Sequence, residues 1–165
     1  MPYFDPSHSE EAFARIAARL RSDIDTAEPR LRAISEERAS APRAGRAWSR
    51  KQILGHLIDS AANNHQRLVR GQNEPVVRVP NYAQEHWVAS QKYGDRTWHD
   101  LVDLWCGYNR HLAHVIAAIP ESRRSIPVEI GADPSVTLSW VALDYVGHTQ
   151  HHLGQIFRRG GPIAP

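Results

Sequence analysis

Apolar residues recur at helical spacing through four long stretches of this chain, and the alternation that marks a half-buried strand is scarce. Phe13, Ile16, Ala17, Leu20 and Ile24 share one side of a first helix expected from about Ser9 to Ile34, which Pro29 should kink or interrupt. The following "SEERASAPRAGRA" reads as a short turn capped by Ser35, then a loop. A second helix opens at "WSRKQ", where Ser49 with Gln52 makes a capping box. It runs to about Arg70, with Gly71 just past its end. The third spans about Thr97 to Ile119 and stops at Pro120. The fourth starts near Thr137 or Leu138 and ends before Gly160-Gly161-Pro162. Between the second and third lies a long connection, "QNEPVVRVPNYAQEHWVASQKYGD", in which "YAQEHWVASQ" suits a short helix; connections of that length are commonly functional. "PVEIGADPSV" reads as a brief extended or turn segment. The expectation is an all-α chain: one domain, residues 1–165, folded as a four-helix bundle of non-trivial topology.

Composition narrows the function. At 165 residues one hydrophobic core is attainable, and 41% hydrophobic with 23% charged residues is ordinary for a globular protein. No apolar run reaches the roughly 18 residues of a membrane span, and "MPYFDPSHSEEAF" lacks the plan of a secretory signal, so a cytoplasmic location is expected. A net charge of +2 with interspersed signs, and no basic patch interleaved with aromatics, speaks against nucleic acid as a partner. The single cysteine, Cys106, excludes an internal disulfide and a multi-thiolate zinc site, and its apolar neighbours make it a core residue.

The chemistry concentrates in histidine. His148 and His152 stand one turn apart on one face of the fourth helix, a spacing that can chelate a metal, whereas His151 points elsewhere. Two imidazoles alone make a weak metal site and leave a proton relay or packing open; a third from another element would make a strong site. The second helix offers His56. Asp59, Asn63 and Arg67 follow it along a polar stripe flanked by apolar Ile53, Leu57 and Ala61, and such a stripe usually lines a pocket. Gln155, seven residues after His148, returns to the same face and could orient a histidine. Trp48 reads as an anchor at the helix start, and Trp87 as a site-lining residue from the long connection. His65, His86, His99, His111 and His114 read as surface residues, with His111 and His114 a weak accidental metal pair at best.

"WSRKQILGHLIDSAANNHQRL" taken with "YVGHTQHHLGQI" resembles the DinB/YfiT-like superfamily, in particular its YfiT-like branch of metal-dependent hydrolases and bacillithiol transferases. The likeness rests on His56, Leu57, Asp59, Ser60, Asn63 and Arg67 in one run and His148, His151, His152, Gln155 and Ile156 in the other. "PNYAQEHW" resembles the family's connector, and the whole covers roughly residues 10–160. It implies a four-helix bundle in which His56, His148 and His152 hold one divalent metal, zinc or nickel, often in a homodimer. It also implies a small-molecule substrate and a low-molecular-weight thiol cosubstrate, activated on the metal for attack on an electrophile. In that scheme Asp59, Asn63, Arg67 and Gln155 position groups, and Arg67 suits a carboxylate of the thiol. Gly147 replaces the aromatic that thiol-transferase members tend to carry before the first histidine; this leaves the ligands intact and bears on pocket shape. The alternatives are a hydrolase using metal-bound hydroxide with Asp59 as base, and a non-catalytic metal-binding stress-response module.

Overall fold

The long helices begin where a hydroxyl is available to take their first free N–H groups. In a computed structural model, which describes residues 11–43 and 48–158, helix α3 (Arg50–Arg70) starts at Ser49. Ser49 Oγ accepts from the Gln52 N–H while Gln52 Oε1 accepts from the Ser49 N–H, 2.9 Å away, so the capping box is complete. Thr97 caps α5 (Trp98–Ala118), Thr137 caps α6 (Leu138–Phe157), and Ser35 caps the five-residue α2 (Glu36–Ser40).

Helix α1 (Phe13–Arg32) is different. The expected start at Ser9 lies outside the described residues, and Ala12 is still extended and supplies no side-chain cap. Glu121, in a single turn of 3-10 helix (Glu121–Arg123), accepts from the Phe13 N–H at 2.9 Å instead. Nor does Pro29 interrupt this helix, which continues to Arg32. Being close to the C-terminus, Pro29 removes only one late hydrogen bond, and its own carbonyl still accepts from Ala33 at 3.2 Å. Gly71 follows α3 as expected, but for another reason. Its φ is −61°, an ordinary right-handed value, and a Cβ there would lie 2.5 Å from Leu138 Cδ1. Close approach of α6, not a left-handed turn, is what favours glycine.

Helices α1 and α3 each pack against both α5 and α6. Long helices that follow one another in the chain, α1 then α3 and α5 then α6, therefore occupy opposite corners of the bundle, which gives the expected non-trivial topology. Trp98, Trp105 and Tyr145 are fully buried between them, and Trp98 Nε1 donates to the Leu31 carbonyl at 2.8 Å. Cys106 is in the core too, where burial pushes its thiol up to about 11. No helix among the described residues is long and apolar enough to cross a membrane.

A small sheet joins the two long connections. Strand β1 (Val77–Val79) runs parallel to β2 (Pro127–Ile130), with Val77 opposite Val128, and β2 pairs antiparallel with β3 (Val136–Thr137). The extended segment expected at 127–136 is thus a hairpin, closed by Gly131 at a left-handed φ of +58°. Strand β1 was not expected: three residues ended by Pro80 carry too little alternation to register. The short helix of the connection, α4, covers Gln84–Ser90. Pinned at β1, this connection lays Asn81 and Tyr82 beside the α3/α6 groove.

A candidate metal centre between two helices

His56 is fully buried on α3, and His148 and His152 face it from α6. One nitrogen from each of the three rings lies within 4.8 Å of the others, and His56 Nε2 and His148 Nε2 are 3.0 Å apart. These separations bracket the roughly 3.4 Å nitrogen–nitrogen edge of a tetrahedral zinc site. Trp48 is half-buried, its ring 5.2 Å from His56, and closes that side.

Burial governs the charge state of the cluster. Desolvation, reinforced by the neighbouring imidazoles, holds His148 far below the ordinary histidine range. It brings His56 and His152 down to about 4, the latter despite a hydrogen bond with Gln155 that acts the other way. All three rings are neutral at neutral pH, the form that ligates a metal.

Hydrogen bonds also select the nitrogens. Ser60 Oγ lies 3.3 Å from His148 Nδ1; accepting there, it leaves His148 Nε2 as a lone pair. Gln155 Oε1 accepts from His152 Nδ1 at 3.1 Å, which makes Nε2 the nitrogen that His152 offers. His56 Nδ1 is buried without a hydrogen-bond partner. If it carries the proton, two lone pairs face each other across 3.0 Å; if Nε2 carries it, a buried acceptor goes unused. A cation bound to the Nε2 atoms resolves the first arrangement, so the donor set fits a divalent metal.

The other expected residues divide. Asp59 is buried, yet its hydrogen bonds run away from the histidines: Oδ1 accepts from Tyr93 Oη at 2.6 Å and from Gln91 Nε2, while Oδ2 has no partner. Burial raises the Asp59 pKa, those hydrogen bonds partly oppose it, and the Tyr93 phenol is pushed up in turn. Asn63 donates to the Asp59 carbonyl at 2.9 Å. Arg67 does reach the groove, where it lines a pocket of about 200 Å³ with His148, Ser60 and Asn64. Gln155 touches His152 and, 2.9 Å away through its Nε2, His151. Trp87 does not line this pocket; it packs on Tyr82, centroids 5.1 Å apart, and Tyr82 does. His111 and His114 are exposed, their rings 6.5 Å apart, and His65 is near His111.

Ser60 and Asn64 carried no role in the sequence reading. At about 100° per residue, Ser60 sits roughly 40° from His56 toward α6, whereas Asp59 sits roughly 60° the other way. The row that meets α6 is therefore His56, Ser60, Asn64, Arg67, one step over from the expected His56, Asp59, Asn63, Arg67. It forms a relay: Arg67 Nη1 donates to Asn64 Oδ1 at 3.1 Å, Asn64 Nδ2 donates to Ser60 Oγ at 3.3 Å, and Ser60 meets His148.

Among solved structures the chain is similar to YfiT from Bacillus subtilis, a probable metal-dependent hydrolase with an unusual four-helix bundle topology. The TM-score is 0.73 at 16% identity, over 92% of this chain and 85% of that one. No curated protein matches the chain. The model of the DinB superfamily matches residues 9–156, nearly the full length, and the chain therefore belongs to the DinB superfamily.

Proposed function

We propose that this protein is a metal-dependent enzyme that binds one divalent ion, zinc or nickel, through His56, His148 and His152. We propose further that it transfers a low-molecular-weight thiol to a small electrophile. The convergence of three neutral histidines, one of which, His148, also lines a polar pocket, carries this reading. Three histidine ligands leave coordination positions open, the mark of a catalytic rather than a structural site. When bound, such an ion lowers the pKa of the water or thiol it ligates.

In the transfer reaction the sulfur–carbon bond forms as the carbon–leaving-group bond breaks. The thiol loses its proton, and the leaving group departs with the bonding pair. The protein's own residues hold the ligands in register through Ser60 and Gln155, keep the histidines unprotonated, and offer Arg67 as a fixed positive charge for the cosubstrate. Asp59 acts from behind, by anchoring Gln91 and Tyr93 to α3, while Asn63 bonds the Asp59 backbone carbonyl. Asp59 Oδ1 is taken by Tyr93 and Gln91, which favours transfer over hydrolysis, the reading that uses this carboxylate as its base. The reading includes a homodimer, which light scattering checks directly.

Elemental mass spectrometry of tag-free protein tests the site. About one ion per chain is expected in the native protein, and its loss in both His56→Ala and His148→Ala. Absence of metal from native protein, even after incubation with zinc and nickel, overturns the reading. Where metal is present, product formation that requires added thiol separates transfer from hydrolysis, which proceeds without it.

A further inference from the structure

The pocket beside His148 is built around a buried cation. Arg67 is only 9% exposed, and its one hydrogen bond among the described residues goes to neutral Asn64. Burial lowers the Arg67 pKa, while Asp144 and Tyr82, which line the same pocket, act to support its charge. A guanidinium presents five N–H donors in a planar fork matched to a carboxylate. Seating one here leaves the pocket its donor while answering a desolvated charge.

A simple anion fits less well than that argument alone implies. Asp144 projects from α6 one turn before His148, and Asp133 lines the far rim, where it accepts from Asn81 at 3.3 Å. The pocket thus offers one cation and two carboxylates, all within about 200 Å³. A ligand carrying only a carboxylate gains Arg67 and is repelled by Asp144; one carrying only an amine does the reverse. A zwitterion matches both.

We propose that this pocket binds an α-amino-acid head, its carboxylate on Arg67 and its ammonium on Asp144, with the rest of the molecule directed along the α3/α6 groove toward His148. This deepens the transferase reading and rests on it for the ligand's identity as a substrate: the thiol would carry its α-amino-acid group away from the sulfur. Ser60 and Arg67 are seven residues apart on α3, about 10 Å of helix, so head and reacting end are separated by several bonds.

The test uses chelator-treated protein and three sulfur-free probes, L-norleucine, hexanoate and pentylamine, titrated by NMR chemical-shift perturbation. On the unmodified protein, norleucine should bind at least ten-fold tighter than hexanoate or pentylamine, with shifts centred on Ser60, Asn64 and Asp144. Arg67→Gln should reduce norleucine to the level of pentylamine, and the milder Asp144→Asn to the level of hexanoate. Norleucine binding no tighter than either probe on the unmodified protein overturns the proposal, whatever the variants do. Because neither metal nor sulfur is present, the outcome is independent of the metal assay. Discrimination without metal content would sink the transferase reading and leave the pocket; metal content without discrimination would do the opposite.

Discussion

Gln155 bonds His152 and His151 at once, an arrangement that fixes the His152 ring from outside the histidine cluster. Groups of this kind typically contribute about 10–100-fold to metal affinity. Gln155→Ala should weaken zinc or nickel binding by that range, measured by competition with a chelator, while leaving the fold intact. Protons compete for the same nitrogens. His56 and His152 have pKa values of about 4 in the folded chain, against an ordinary 6.5. Below pH 6.5 the unfolded chain therefore takes up protons that the folded one refuses, so acid favours unfolding. The thermal midpoint of metal-free protein should be flat above pH 6.5 and fall steadily between 6.5 and 4. A midpoint unchanged across that window would show that the rings are not buried neutral. The clustering of His56, His148 and His152 was legible because i, i+4 histidines on one helix and a histidine in a polar stripe are unusual. Ser60 and Asn64 were not, because a 100° helical wheel does not say which edge of the stripe the neighbouring helix covers.

Among the elements, the first half of α3 and the 84–95 segment are locked by one small residue. A Cβ at Gly55 would fall within the Tyr93 ring, and Tyr93 hydroxyl bonds Asp59 one turn on. Gly55→Ala should cost about 1–3 kcal/mol by overpacking, more if the Tyr93 bond is also lost, as read by urea unfolding. At the start of the same helix, the buried Arg50 donates to the carbonyls of Ile156, Arg158 and Arg38, and so caps the C-terminus of α6. Arg50→Met should destabilise by about 1.5–3 kcal/mol. The helices were legible because period and caps agree in "WSRKQ", "TWHD" and "TLSW". The start of α1 was not, because its cap, Glu121, lies 108 residues away. Strand β1 was not either, since its pairing with β2 is a tertiary choice.

At the scale of the whole molecule, the clustered histidines come from helices that pack side by side but lie far apart in the chain: His56 and His148 are 92 residues apart. An ion held by both should stabilise the bundle by about 4 kcal/mol when its free concentration is 1,000 times its dissociation constant. For a chain of this size that corresponds to roughly 8–16 °C. Chelation should lower the midpoint by that order, and His56→Ala should be insensitive to chelator. The crossed connectivity, with α1 opposite α3 and α5 opposite α6, also bears on folding. The three imidazoles meet through a contact between α3 and α6 that spans the intervening connection and α5, and contacts so distant in the chain tend to form slowly. Metal capture is then a late step on the folding route. Zinc should leave the refolding rate nearly unchanged and slow unfolding instead, so that the ion governs how long each molecule survives once made.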